Sequence, residues 1–215
     1  EEEYRVGRVL NSLLDIDCIT NIFIILNGSN ELTQNEAQNC FFSHQRRVTL
    51  VSFNCPLGID IPRAVGARLA YAAGAQYTLF IDGDMVGEIT AELRNFVHYT
   101  LQNELDLALI DCYPDKNGLE KFKESMFFWR YALNKELGLS EVLNIATPSH
   151  GPHMVSRRML TQVPWEDFAV PPTLLVHAAK MLFRIGLAGA IPHVQLGSSI
   201  KNGTHNKLII DTIIG

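Results

Sequence analysis

Tyr77-Thr78-Leu79-Phe80-Ile81-Asp82-Gly83-Asp84-Met85 is the stretch whose reading decides the fold. Tyr77, Leu79, Phe80 and Ile81 make a short apolar run with strand character, and Gly74 punctuates the chain just before it. A continuous run of this kind suits a strand buried on both faces, in a sheet covered by helices. The run stops at Asp82, Gly83 and Asp84. Two carboxylates at the mouth of a buried strand are costly unless something positive or polar holds them. In an extended strand, positions two apart point the same way, and Gly83 admits a ligand close to the backbone. A hard divalent cation, which takes oxygen ligands and bridges readily to a diphosphate, is one occupant that fits. A solvated Asp-Gly-Asp turn is the other reading of the same residues.

Outward from this stretch, Val6, Val9, Leu10, Leu13 and Leu14 recur at helical spacing and predict an opening amphipathic helix. Ile22 to Leu26 predict a strand, closed by the turn signal Asn27-Gly28-Ser29-Asn30. A helix over Thr33 to Phe42 and a strand over Arg47 to Phe53 follow. The loop Asn54 to Pro62 leads into a helix through Val65, Leu69 and Ala72 to Gly74, with Pro62 tolerated in its first turn. Past the acidic motif, Ile89, Leu93, Phe96, Val97, Thr100 and Leu101 form the clearest helical stripe, and Leu105 to Cys112 the next strand. Helix and strand alternate throughout. This predicts an α/β domain with a mostly parallel central sheet and helices on both faces, a three-layer α/β/α arrangement. Such a domain normally opens on a strand, so a first strand is expected upstream of Glu1. The Ile22–Leu26 strand would then carry an unpaired flank, and an exposed sheet edge invites association, which leaves a homo-oligomer open.

The second half changes character. Phe122, Met126, Trp129, Leu133 and Leu137 predict a long helix from Leu119 to Leu137. Met154 and Val155 suggest a short strand running into a turn at Arg157 and Arg158. Val163 to Pro172 reads as loop, Thr173 to Arg184 as a helix ending at Gly186, and Leu187 to Val194 as a strand. A polar, Gly-rich stretch from Leu196 to Asn206 precedes an apolar one from Leu208 to Ile214.

At 215 residues and 47% hydrophobic content, the chain suits one large domain with a real core. The formal net charge is −5 and Lys and Arg form no long run, which speaks against a nucleic-acid partner. Cys18, Cys40, Cys55 and Cys112 are scattered without metal-ligand spacing. They read as free thiols of a reducing compartment, with Cys18 and Cys112 just buried beside apolar strands. Glu1, Glu2 and Glu3 carry no signal-peptide pattern. The most membrane-like stretch, Leu174 to Ile191, is interrupted by His177, Lys180 and Arg184, and reads as a helix and a strand rather than a transmembrane segment. A soluble, cytoplasmic domain is expected.

With this order laid out, nearly the whole chain resembles the family 2 glycosyltransferases of the GT-A fold, within the nucleotide-diphospho-sugar transferase superfamily. Ile22 to Asn30 resembles the family's second strand with its Asn/Asp-Gly-Ser ending. Gly58 to Gly74, with Arg63, Gly66 and Arg68, is similar to its Gly-x-x-x-Ala-Arg-Asn-x-Gly stretch. Tyr77 to Asp84 is similar to the strand that carries its Asp-x-Asp motif. The resemblance implies a nucleotide-sugar donor, with Asp82 and Asp84 holding Mg²⁺ or Mn²⁺ against the diphosphate and Gly83 between them. It implies Asn27 and Gly28 near the base and Arg63 near a phosphate or the base. It further implies a nucleotide-sugar-binding half over residues 1–115 and an acceptor-binding half over 116–215, for a glycan, lipid-linked or small-molecule acceptor. His193, followed by Leu196-Gly197-Ser198-Ser199, is similar to the family's His-x-x-x-Gly-Ser stretch and is a candidate third metal ligand, with His205 its competitor. His150 and His153 flank Gly151-Pro152 on the acceptor side. Inverting members carry an acidic residue ahead of the helix that Thr173 opens here, as the base for the acceptor hydroxyl. This chain has Pro171-Pro172 at that place. The nearest carboxylates are Asp167, the favoured base, and Glu166.

Two other readings stay open. A degenerate domain of this kind would bind a nucleotide sugar without turnover, as the prolines suggest. A phosphohydrolase of the haloacid-dehalogenase type also ends a strand in Asp-x-Asp. Its motif normally lies on the first strand with Thr following, whereas here three strand-helix units precede the motif and Met85 follows it.

Overall fold

The computed structural model describes residues 5–114 and 125–198. Helix α1 (Val6–Leu14) leads to β1 (Ile22–Asn27), α2 (Glu31–Ser43), β2 (Val48–Phe53), α3 (Ile61–Ala72), β3 (Tyr77–Phe80), α4 (Thr90–Gln102) and β4 (Leu107–Asp111). Then come α5 (Ser125–Glu136), the single turn α6 (Ser140–Leu143), β5 (His153–Ser156), α7 (Arg157–Gln162), a 3₁₀ turn (Trp165–Ala169), α8 (Pro171–Lys180), β6 (Ile185–Ala190) and a second 3₁₀ turn (His193–Gln195). The first half follows the predicted alternation element by element.

The sheet is not continuous. β1 and β2 pair in parallel, while β3, β5, β4 and β6 form a separate four-stranded sheet in that order. β5 runs antiparallel between β3 and β4, and β6 lies parallel to β4 with a bulge between Leu109 and Ile110. The expectation of one mostly parallel sheet is therefore corrected to two small sheets, the larger one mixed. The strand Tyr77–Phe80 is not buried on both faces either, since Phe80 alone among its residues is buried. Among the described residues it pairs on one side only, with β5.

Local chemistry explains the element boundaries. The Asn27–Asn30 turn signal doubles as a helix start, because the Asn30 side chain accepts the Thr33 N–H at 2.9 Å and caps α2. Arg157 and Arg158 do not form a turn. Ser156 caps α7 through the Met159 N–H, and both arginines lie in its first turn. Arg157 donates to the Tyr71 and Ala75 carbonyls at the end of α3 and lies 4.6 Å over the Tyr71 ring. The Pro171-Pro172 pair, expected as loop, opens α8, where proline's missing N–H costs nothing. That helix ends at Lys180, short of Arg184, and Gly186 falls inside β6. The predicted strand Leu187–Val194 shifts back to Ile185–Ala190, and His193 lies on a 3₁₀ turn. Cys112 is buried, but Cys18 is exposed, because the loop between α1 and β1 lies on the surface. Residues 115–124, the beginning of the predicted Leu119–Leu137 helix, lie outside the described residues, as do 199–215 with His205.

One buried carboxylate joins three elements of the larger sheet. Asp106 accepts from the Ser156 hydroxyl at 2.7 Å, the Arg158 guanidinium at 3.1 Å and the Arg184 N–H at 3.0 Å. At the other end of β5, His153 is 1% exposed and stacks on Phe80 with ring centroids 4.9 Å apart. Neither of its ring nitrogens has a well-formed hydrogen bond among the described residues. Burial, and then the field of Arg63, push its imidazole down to about 3.

A depressed folded pKa means that the unfolded chain binds a proton which the folded one refuses, between the ordinary value of 6.5 and about 3. Stability from His153 is thus complete above pH 6.5 and declines as pH falls through that window. The slope is up to ~1.4 kcal/mol per pH unit. Urea melts from pH 7 to 4 should show His153→Leu with a shallower acid decline than the parent by about that slope.

Candidate functional site

A cavity of about 1520 Å³ opens where the carboxyl ends of β1 and β3 meet the start of α3. It is lined by Asn27, Gly28, Arg63, Asp82, Gly83 and Asp84, the six positions singled out for donor binding, and by His193. β3 ends at Phe80, so the acidic motif is not the end of an extended strand. It is a turn, closed by the Met85 N–H to the Asp82 carbonyl at 3.2 Å and by Val86 N–H to Asp84 carbonyl at 2.9 Å. Side-chain alternation therefore does not govern Asp82 and Asp84. Asp84 is 7% exposed, whereas Asp82 is half-buried.

Arg63, in the first turn of α3, is the cation that faces this turn. Its guanidinium donates to Asp82 at 2.7 Å and pairs also with Asp60. The side chain of Asn27 is used within the chain. Its amide donates to the Gly58 carbonyl at 2.6 Å and its oxygen accepts the Leu57 N–H at 2.9 Å, which ties the loop before α3 to the end of β1. Gly28 has a φ of 69°, and a β-carbon there would lie 2.6 Å from the Pro56 ring, so only glycine fits the turn.

The 3₁₀ turn bearing His193 is fastened to the acidic turn by backbone. Gly87 N–H donates to the Leu196 carbonyl at 3.0 Å, and a β-carbon on Gly87 would fall on the Gln195 carbonyl. The sequence reading passed over Gly87, although a glycine just after an acidic turn is the kind of signal a close backbone approach leaves. The ligand atoms of Asp82, Asp84 and His193 do not converge as a set within 4.8 Å. Among the described residues the one such group is Asp17, Cys18 and His98, two of them exposed. Burial and Asp17 raise the Cys18 thiol, which keeps it protonated and a poor ligand.

Three residues not singled out as ligands share the lining. The Tyr113 hydroxyl lies 3.2 Å from His150 Nε2, the His150 and His193 rings lie 4.8 Å apart, and Arg130 bonds to Tyr113. Burial, then the Arg130 and His193 charges, push the His150 imidazole down to about 3, so it is neutral near pH 7. Burial likewise lowers Arg130. Glu166 and Asp167 do not line the cavity, while Pro171 and Pro172 do. Both acids lie on the first 3₁₀ turn, Glu166 exposed and Asp167 half-buried with its Oδ2 2.7 Å from His177 Nε2 of α8.

No protein-family profile and no curated protein matches the sequence. Among solved structures, the chain is similar to the mannosyltransferase PcManGT from Pyrobaculum calidifontis in complex with GDP-Man and Mn²⁺, with a TM-score of 0.64 and 16% identity. The fold is similar to a glycosyltransferase's. The match covers 96% of this chain and 56% of that one, so the chain spans about half the length of the similar structure. At this identity the likeness concerns the fold. Among the described residues, no helix is long and apolar enough to cross a membrane.

Gly87 supplies a direct check on the geometry. Gly87→Ala must push the 3₁₀ turn away from the acidic turn, and overpacking of this kind costs roughly 1–3 kcal/mol. Chemical melts should register that loss, whereas Gly189→Ala, whose β-carbon meets nothing within 4 Å, should leave stability nearly unchanged.

Proposed function

We propose that this chain is a glycosyltransferase that moves a sugar from a metal-bound nucleoside-diphosphate sugar to an acceptor hydroxyl. The observation that carries this reading is the pair Asp82 and Asp84, set in one turn on the wall of a large cavity with Arg63 at its side. The donor set fits a hard cation, since both side chains offer carboxylate oxygens, and Asp84 is largely shielded from water. Mg²⁺ or Mn²⁺ held by Asp82 and Asp84 would supply positive charge that stabilises the leaving diphosphate. His193 is the third candidate ligand, on the turn that Gly87 fastens beside them.

The chain's own residues do the rest. Arg63 orients Asp82 and adds a fixed cation at the first turn of α3, whose N-terminal end also favours anions. Asn27 holds the loop from Leu57 to Gly58 as one wall, and Gly28 keeps that wall low enough for a nucleotide to approach. Asp167 takes the acceptor's proton as the hydroxyl oxygen bonds to the anomeric carbon and the bond from that carbon to the diphosphate breaks. His177 holds the Asp167 carboxylate in one orientation. Glu166 is the second candidate for that proton. The acceptor binds to the half from residue 116 onward. Because the similar structure was solved with GDP-Man, a guanosine donor is the first to try.

Binding of a nucleotide sugar without turnover is the second reading. It is favoured by one observation, that neither Glu166 nor Asp167 lines the cavity.

Thermal melts with Mn²⁺ and GDP or UDP, alone and together, test donor binding. Metal plus nucleotide should raise the melting temperature beyond either alone, and Asp84→Asn should abolish that excess while the unliganded fold persists. A full excess in the variant removes the metal assignment. Turnover across a panel of nucleotide sugars then separates the two readings. In a working transferase, Asp167→Asn should slow kcat by ~10²–10⁴-fold with donor binding unchanged. Near-normal turnover in that variant moves the role to Glu166.

A further inference from the structure

Arg130 is a cation without a carboxylate partner among the described residues. Arg63 there pairs with Asp60 and Asp82, Arg158 with Asp106 and Arg184 with Glu104, and none of these acids reaches Arg130. Its guanidinium is nevertheless half-buried in the cavity lining, where burial works against its charge. Withdrawing a cation from water without a partner is costly. A guanidinium offsets that cost best by donating two parallel N–H groups to one oxyanion.

The groups around Arg130 are donors held in place. Asn134, one turn further along the same face of α5, is fully buried and donates to the Asn144 and Ala146 carbonyls at 2.9 and 3.0 Å. That contact brings the segment with Thr147 against α5. Thr147 is 3% exposed, and its hydroxyl has no hydrogen-bond partner among the described residues. It shares both the cavity lining and a small side recess with Tyr113, Arg130 and His150. A shielded hydroxyl left unbonded is destabilising, and a ligand oxygen would satisfy it. Tyr113 bonds to the arginine, and its ring packs edge-on against Phe127 with centroids 4.7 Å apart. Trp129, the residue before Arg130, lines the same cavity yet is 61% exposed. Phe128 braces its ring edge-on, with centroids 5.2 Å apart. An indole in that position offers a rigid apolar face about the size of a sugar ring.

We infer that the acceptor of the proposed transfer, on which this assignment rests, is a saccharide bearing an oxyanion. Arg130 and Thr147 hold that carboxylate or phosphate ester, and Trp129 stacks on the sugar face beside it. The oxyanion is an anchor and stays intact, while a hydroxyl elsewhere on the same saccharide attacks the anomeric carbon. These residues come from α5 and from the segment ahead of β5, in the half proposed to bind the acceptor. The donor's diphosphate has the acidic turn and Arg63. His193 joins the two groups, since its ring lies 4.8 Å from that of His150 and Gly87 fastens its turn to the acidic one. An acceptor anchored at Arg130 therefore lies in the same cavity as the donor without competing for the same cation.

Iodide quenching of indole fluorescence tests this on the 215-residue chain without donor, using glucose, glucuronate, glucose phosphate and octyl phosphate. The chain's other indole, Trp165, packs against the core, so the quenchable emission is that of Trp129. Glucuronate and glucose phosphate should shield it at concentrations roughly tenfold or more below glucose, because hydrogen bonds to a charged group are the stronger ones. Arg130→Gln should bring both down to the level of glucose. Thr147→Val should weaken both several-fold and leave glucose unchanged. Arg130→Lys keeps the charge without the planar fork and should retain part of the preference, which covers a glutamine variant that fails to fold. Melts with Mn²⁺ and GDP should show the same excess in the arginine variants as in the parent. Equal binding of glucose and its anionic forms overturns the inference, whatever metal and nucleotide do. Octyl phosphate shielding as well as glucose phosphate overturns the saccharide assignment. Loss of the metal and nucleotide excess in both arginine variants gives Arg130 to the donor and overturns it too. If the parent itself shows no such excess while Arg130 still selects anionic sugars, the transfer reading fails and the oxyanion subsite stands.

Discussion

Arg63 reaches from the first turn of α3 to Asp82 and holds Asp60 at the start of its own helix. A helix start and the acidic turn after β3 are thereby fixed to a single planar cation. The arrangement is a natural use of guanidinium, which keeps its charge when partly buried and presents several donors in fixed directions. Without it, the buried Asp60 and the half-buried Asp82 would both lie on the cavity wall without this shared cation. The position of α3 follows from the same contact. The same helix packs Ala64, Ala67 and Tyr71 into the core around Phe80, Phe168 and Leu174. The helix therefore transmits the placement of the acidic turn to the second half of the chain.

A second carboxylate does comparable work at the other end of the sheet. Asp106 gathers Ser156, Arg158 and the Arg184 backbone, and so sets β5 and β6 on either side of β4. A buried charge with three donors is held rather than merely tolerated, and losing one donor would leave the desolvation of the rest uncompensated. This helps a short antiparallel strand, β5, keep its register between β3 and β4. It also explains why Arg158 lies over the Phe183 ring at 4.6 Å, where its stem covers the core while its head reaches Asp106.

How much of this was legible depends on the range of the forces involved. Elements fixed by periodicity were readable. The Val6–Leu13 stripe, the Ile22–Leu26 run and the Ile89–Leu101 stripe all appear where their spacing puts them. Elements fixed by capping were misread by a few residues, because Ser156 and Asn30 look like turn residues until the helix behind them is seen. The short strand at Met154 and Val155 was readable, but its antiparallel place between β3 and β4 was not, since that depends on Asp106, fifty residues earlier. The candidate site divides in the same way. Its six donor-side positions line one cavity, as their order in the chain suggested. Tyr113, Arg130 and Gly87 were missed because each matters only through contacts with distant segments. Gly87 is the instructive case: its glycine character is explained by a carbonyl more than a hundred positions away, at Gln195.

The half-buried state of β3 connects these observations. An apolar strand next to an acidic turn would ordinarily be enclosed, and Tyr77, Thr78 and Leu79 are not. Phe23 and Ile25 of β1 are likewise only half-buried. Both strands leave apolar side chains and backbone edges toward one shared space, while α1, α3 and α4 already cover it above and below. Polar groups line it at both ends, Thr20, Asn21 and Gln76 at one and Asn27, Arg63, Asp82 and Asp84 at the other, with Tyr113, Arg130 and His150 on the same lining. With His150 neutral near pH 7, Arg130 is a fixed cation of that second group, as Arg63 is of the first. The ionisable groups of the proposed chemistry stand at the end where Asn27, Arg63, Asp82 and Asp84 meet. One continuous opening runs along β1 and β3 to that end, where the strand ends leave room for a ligand.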